Sequence, residues 1–337
     1  MCIGLAAGAQ DRFSISVVSR VETGAKFGAE EGYLPTFGHT SLFSNFDFRI
    51  SESWNLRMNN RWLTTSPGIL YTELGNPQCV NWLDILQLSF NKDRWHFQAG
   101  KLYVRMGGFE FECPNSEFHH NLMSNFWMHA QPYTWGASVG FDIARNNTIS
   151  VTATNSPYSE AIFKHGLMAY SLAWDGQVGP VQTYWGLALL QRQDRSFLKS
   201  LGLGQRFYHR YYSAELDYTV RSDSWNTLFS YESTLTLKLA YEGPGWFQLH
   251  LKGGWEFTVG NEPLLTPGMT EPTFTRDYIV PLVLDPSKPY FFGGAYAYFY
   301  PWKANRNLRL HLLAAANNYY RGATVMAGVL YRLDFDF

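Results

Sequence analysis

From Asn45 to Ser51 the chain alternates strictly, with Phe46, Phe48 and Ile50 set between Asn45, Asp47, Arg49 and Ser51. After Ser51-Glu52-Ser53 the period of two resumes, placing Trp54, Leu56 and Met58 against Asn55, Arg57 and Asn59. It returns over 134–143, 148–154, 212–221 and 247–259, and last over 324–337. In that closing run Val325, Ala327, Val329, Tyr331, Leu333, Phe335 and Phe337 alternate with Thr324, Met326, Gly328, Leu330, Arg332, Asp334 and Asp336. Side chains of a strand point to opposite faces in turn, so each run predicts a strand with one apolar and one polar face. No segment shows the 3.6-residue period of an amphipathic helix.

The pattern predicts sixteen strands, near 12–24, 41–51, 54–65, 81–91, 95–105, 134–143, 148–156, 167–175, 181–192, 207–221, 225–231, 233–242, 246–259, 289–301, 307–317 and 324–337. The stretch 225–242 fits either two strands or one strand plus irregular chain. An even total makes fourteen and eighteen the alternatives. Short connections at 51–53, 92–94, 144–147, 176–180, 243–245 and 303–306 fall between long ones at 25–40, 66–80, 106–133, 157–166, 193–206 and 260–289. Short turns at one rim and long loops at the other are the habit of transmembrane barrels. The expected fold is therefore all-β, a transmembrane antiparallel up-and-down β-barrel of about sixteen strands in a single domain.

Composition sharpens this picture. Aromatic residues make up 17% and charged residues only 16%, against about a quarter charged in ordinary globular chains. Mean hydropathy is nevertheless slightly negative. Many aromatics, few charges and no overall hydrophobicity suit a wall that is apolar outside and polar inside. No run approaches the ~18 apolar residues of a transmembrane helix, which excludes a helical membrane protein. A net charge of −1 offers no electrostatic ground for a nucleic-acid partner. Residues Met1 to Ala9 end in Ala7-Gly8-Ala9, an A-x-A cleavage pattern that lacks the usual basic region before it. Residues 1–9 read as the remnant of a signal peptide and 10–337 as the barrel; an ordinary short apolar tail is the other reading.

A closing strand that ends on an aromatic resembles that of outer-membrane β-barrels. In that family the barrel assembly machinery reads the terminal residue, here Phe337. The segment Phe97-Gln98-Ala99-Gly100-Lys101-Leu102-Tyr103-Val104-Arg105-Met106-Gly107-Gly108-Phe109-Glu110 resembles a strand and loop start of porins of the phosphate-selective O/P type and related Bacteroidota porins. There a Gly-Lys/Gln strand leads into a glycine-rich bend and an aromatic. The likeness implies a porin in outer-membrane lipid and lipopolysaccharide that passes small hydrophilic solutes passively. It leaves monomer and homotrimer open. It also implies that loop 106–133, with Phe109, Glu110, Glu112 and Glu117, folds into the lumen and sets the constriction. The family's arginine-lined eyelet and lysine ladder have no matching run here, so phosphate selectivity is not carried over.

A barrel of this width cannot be filled by its own wall side chains. Parity puts Arg49, Arg57, Arg61, Lys238, Lys252 and Arg309 on the lumen face, together with Arg221 and Arg332. Lys101 and Arg105 join them if Gly100 shifts the alternation. The acidic residues there are Asp142, Glu215, Asp217 and Glu256, with Asp47, Glu242, Asp334 and Asp336. Ten cations against eight carboxylates predict weak ion selectivity. Arg49, Arg57 and Arg61 on one hairpin would form a positive stripe, unless lumen charges pair across neighbouring strands.

Cys79 and Cys113 both fall in long loops, where a disulfide joining the second loop to the third would persist. Glu110, Glu112, Glu117, His119, His120 and His129 are residue types that bind metals, but they show no regular ligand spacing, and no metal or cofactor is assigned. Phe109, Phe118, Phe126 and Trp127 would pack that loop against the wall or grip a sugar. Gly136-Ala137-Ser138-Val139-Gly140 spells G-x-S-x-G, but it lies inside the alternating run 134–143 and not at a strand-to-helix turn, and no H-E-x-x-H is present, so no enzymatic activity is expected. A surface-exposed structural or adhesive barrel with a closed lumen, and a soluble carbohydrate-binding sandwich, are the competing readings.

Overall fold

Seventeen strand segments form one continuous antiparallel sheet that closes on itself in this computed structural model. β1 is Phe13–Gly28, and the second stave, β2, consists of Gly32–Thr36 and Thr40–Arg49. Both segments pair with β1, so the wall has sixteen staves. The rest are β3 Trp54–Thr65, β4 Leu83–Lys92, β5 Trp95–Tyr103, β6 Tyr133–Ala144, β7 Asn147–Asn155, β8 Met168–Val178, β9 Val181–Gln191 and β10 Phe197–His209. They continue with β11 Tyr212–Ser222, β12 Glu232–Tyr241, β13 Phe247–Thr258, β14 Tyr290–Phe299, β15 Leu308–Asn317 and β16 Gly322–Asp336. Closure runs from Ser14 opposite Asp336 to Gly28 opposite Gly322. The structure describes residues 13–28, 32–36, 40–65, 83–112, 119, 122–129, 132–159, 166–259, 288–302, 306–319 and 322–337. The 1–9 stretch, Cys79, Cys113 and Glu117 lie outside them.

The faces are sorted as alternation demands. On β15 and β16 Leu310, Leu312, Val325, Val329 and Leu333 are exposed, whereas Arg309, His311 and Thr324 are buried. A soluble protein does the reverse. Such a wall is stable in hydrocarbon only when every backbone N–H and C=O finds a partner in the sheet, and closure provides that by removing both edges.

Four of the short connections are two-residue turns, and each holds one residue in the left-handed region: Asp93 (φ 54°), Asn146 (59°), Gly179 (58°) and Arg210 (57°). That conformation matches the twist of paired strands, which is why the turns are tight. Aromatic pairs ring the same rim. Trp54 lies 4.7 Å from Phe90, Trp95 4.7 Å from Phe141, Tyr212 5.3 Å from Tyr241 and Trp246 5.9 Å from Phe299. Phe337 stacks on Phe13 at 6.1 Å, and its backbone N–H donates to the Phe13 carbonyl at 2.8 Å. Rings with an apolar body and a polar edge collect where hydrocarbon gives way to headgroups.

The total of sixteen agrees with the alternation, but two assignments within it are corrected. The expected loop 193–206 is mostly β10, and the expected strand 207–221 is the end of β10 plus β11. The expected strand 225–231 is a 3₁₀ turn over Trp225–Thr227 and its flanks, seated on the Ser224 cap. The long connection 25–40 also shrinks, because β1 extends to Gly28 and β2 starts at Gly32.

Candidate functional site

Where it is described (104–112, 119, 122–129 and 132), the connection between β5 and β6 lies inside the lumen. Its path is set at Gly100. Up to Ala99 the outward positions of β5 are Trp95, Phe97 and Ala99, but Gly100 adopts φ +123°, and a Cβ there would lie 2.0 Å from the Leu86 carbonyl oxygen. Beyond this twist Lys101 is buried, with its Nζ donating to the Leu83 carbonyl at 2.5 Å, and the Tyr103 hydroxyl donates to the Phe111 carbonyl. Gly107 and Gly108 then lie flat against β10 and β11. A Cβ on Gly202 would meet the Gly107 Cα at 2.8 Å, and one on Gly108 would meet Asp217 Oδ1 at 1.9 Å. The β10 glycines that read as loop in the sequence are contact points for a second backbone.

Next comes a 3₁₀ turn, Phe109–Glu112, whose backbone is held by one carboxylate: Asp217 accepts from the Phe109 N–H at 2.8 Å and the Glu110 N–H at 2.6 Å. Glu110 itself accepts from Lys252 Nζ at 2.6 Å and from the Ser124 N–H and hydroxyl at 2.9 and 2.5 Å. Ser124 in turn accepts from the Trp127 N–H at 3.0 Å, at the head of the short helix α1, Asn125–His129. Under that helix Glu256 is fully buried and accepts from the Phe126 N–H at 3.5 Å. Arg221 lies over the Phe126 ring at 4.1 Å and bonds Glu232 at 3.1 Å.

Arginines brace the turn from the other side. Arg206 bridges Glu112 and Glu215, each at 2.6 Å, with its guanidinium 4.1 Å above the Phe109 ring. Arg105 reaches Glu112 at 3.1 Å and Asp175 at 3.3 Å and covers Tyr184. Phe111, Met123, Phe126 and Trp127 pack on Ala169, Ala188, Leu190 and Leu198 of β8–β10. Across the lumen Leu122 packs on Leu313, Ala315 and Met326. His119 also reaches that far wall. Arg20 donates to its Nδ1 at 3.1 Å, so Nε2 carries the proton and donates to the Tyr298 hydroxyl at 3.2 Å. Burial, reinforced by the Arg20 cation, holds this imidazole well below its ordinary range. Arg20 and His311 (2.8 Å) share Glu22, so the far anchor is a buried ion cluster.

The remaining candidates stand apart from the loop's seat. Arg49 and Arg57 are exposed on inner positions of β2 and β3, and Arg57 faces Asp47 in register. Arg61 bonds Asp84 at 2.9 Å. Asp142 accepts from Thr148 at 2.6 Å and lies 3.0 Å from His96 near the short-turn rim. Lys238 faces Glu215 in register, and Arg309 lies 4.1 Å over the Tyr298 ring. Lumen charges thus pair, largely across strands or with the loop. Among the described residues no group of three or more His, Cys, Asp or Glu is placed to hold a metal. Sequence reading missed Arg206, Arg20, Glu22 and His311. Strict alternation in β1 would have exposed Arg20 and Glu22, whereas Arg206 was hidden by the glycines before it.

The close approach of Gly202 to the loop gives a direct test. Gly202→Val should leave the barrel folded but unseat Gly107, at a cost of about 1–3 kcal/mol for overpacking. Heat-modifiable gel migration should stay as in the wild type while protease cleavage within 106–129 accelerates. Unchanged protection would show that the contact is not structural.

No protein-family model and no characterised protein matches the sequence. Solved structures match over nearly the whole chain. OmpF of Salmonella typhi in complex with daunomycin shares 9% identity over 95% of this chain and 97% of that one, with a TM-score of 0.60. The loop L8 deletion mutant of OmpT, an outer membrane protein of Vibrio cholerae, shares 9% over 96% and 100%, with 0.59. An anion-selective porin from Comamonas acidovorans shares 10% over 96% and 100%, with 0.57. At these identities the likeness is one of fold alone, a closed antiparallel β-barrel.

Proposed function

We propose that this chain is an outer-membrane porin that passes small hydrophilic solutes by passive diffusion. The observation that carries the reading is the loop between β5 and β6, turned inward and fixed by Asp217 and the Lys252–Glu110 pair. A loop seated in this way narrows a barrel that is otherwise too wide to exclude solutes by size. The free route would run along β2 and β3, past Arg49 and Arg57, opposite the arc of wall that holds the loop. Because lumen charges pair, selectivity between ions would be weak. The likeness to phosphate-selective porins rests on residues 97–110 alone, and we assign no phosphate specificity.

The same proposal includes recognition of Phe337 by the barrel assembly machinery and residence among lipid and lipopolysaccharide. It includes no catalytic role and no nucleic-acid partner; a homotrimer is compatible with it. Purified, heat-modifiable protein in planar bilayers should give discrete conductance steps with near-equal permeability for small cations and anions. The second reading, a structural or adhesive barrel with a closed lumen, draws on the loop's contacts with both sides of the wall. A folded barrel that never conducts would favour it and defeat the porin reading.

A further inference from the structure

Between the inward loop and the short-turn rim lies a chamber of about 390 Å³, walled by β10–β15 and roofed by Phe109, Glu110, Glu112, His119, Leu122 and Met123. That volume falls in the range of small-molecule sites. We propose that this chamber is a binding site for an uncharged, hydroxyl-rich ring solute of mono- to disaccharide size. The inference deepens the porin reading and rests on it for the solute's entry.

The charge balance argues for an uncharged guest. Four cations and four carboxylates face the chamber. Lys252 is taken up by Glu110, and Arg206 by Glu112 and Glu215. No net charge is left to hold an ion. Besides Lys238, Arg309 and Glu242, what remains is aromatic and hydrogen-bonding. Tyr296, Tyr298 and Tyr300 line one side, with the Tyr300 hydroxyl donating to Gln248 at 3.1 Å. Flat aromatic faces take the C–H face of a sugar ring, while nearby polar groups take its hydroxyls.

His250 points to a missing partner. It is only 3% exposed and stacks on Tyr296 with ring centres 4.5 Å apart and planes 5° from parallel. Neither of its ring nitrogens has a hydrogen-bond partner among the described residues, and Nε2 lies 3.8 Å from Glu242, too far for a bond. A buried polar group without a partner is costly and uncommon in native structures. A neutral imidazole offers one donor and one acceptor, the pair that a sugar hydroxyl can satisfy. Glu242 is half-exposed beside the short-turn rim and marks the mouth of the chamber.

The test is equilibrium dialysis of the folded protein in detergent with labelled sucrose, paired with planar-bilayer recording. Sucrose uptake should saturate at one site, yield to glucose and ignore gluconate. His250→Leu should weaken it about tenfold or more and His250→Gln should keep it within about threefold, a tenfold change being about 1.4 kcal/mol. Tyr296→Ala, which removes the stacking face, is a second loss variant, and Leu251→Ala on the outer face is the control. A conducting protein without saturable uptake, sucrose binding unchanged in both loss variants, or stronger competition by gluconate would each overturn the chamber assignment. Saturable uptake by a barrel that never conducts would instead overturn the porin reading and leave the chamber standing.

Discussion

Asp217→Ala should release the inward loop and raise both single-channel conductance and the size limit for uncharged solutes. The reason is that one carboxylate holds two successive backbone N–H groups, of Phe109 and Glu110, where the loop meets the wall. A hydrogen bond contributes about 0.5–1.5 kcal/mol net, so the loop's seat loses roughly 1–3 kcal/mol. The barrel's ladder hydrogen bonds do not depend on this residue's side chain, so heat-modifiable migration is retained. Asp217→Asn keeps one acceptor oxygen and should fall between. Liposome swelling with sugars of increasing size reads the limit, and conductance in planar bilayers reads the cross-section. Wild-type values for both in a folded alanine variant would show that Asp217 is not the clamp.

Lys252→Met is the second large effect. Lys252 and Glu110 are both buried, and their contact at 2.6 Å joins the loop to β13. Removing one member strands the other charge, which costs about 3–5 kcal/mol. The Ser124 bonds soften the loss for Glu110 without cancelling its charge. Replacing both, as Lys252→Met with Glu110→Met, removes the orphan and should recover most of the stability. The temperature at which the folded gel band disappears, measured for the four proteins of a double-mutant cycle, decides it. Additive losses would mean that the two side chains do not act as a pair.

Much of the wall could be read from alternation alone. β13 and β16 keep the period of two throughout and β3 keeps it to Asn59, and each appears within two residues of its expected bounds. β10 was lost because Gly202 and Gly204 lack the side chains by which a strand announces itself. They lack them because the loop's own backbone lies against them. The turn at 225–227 was misread for the opposite reason, since Trp225, Leu228 and Phe229 supplied apolar residues without a ladder behind them. The site divided along the same line. Parity put Asp217, Lys252 and Glu256 inside, because facing depends only on strand register. It could not say that Asp217 meets an N–H 108 positions earlier, since that contact depends on the route of a loop. Gly100 carried a partial signal, and its backbone twist does turn Lys101 inward.

The pairing of β1 with β16 has a consequence for how the protein is made. Ser14 pairs with Asp47 on one side but with Asp336 on the other, so the contact that seals the wall joins residues from opposite ends of the chain. Loop-closure entropy must be overcome before such a contact contributes, which makes the last step slow. Until residues 322–336 are in place, β1 and β15 both present bare edges, and an open sheet with an apolar face is prone to aggregate. Ribosomal synthesis therefore cannot finish this protein strand by strand. On the proposed function it would travel to its membrane as an unfolded cargo kept from sticking to itself, and become a barrel only when the final strand arrives.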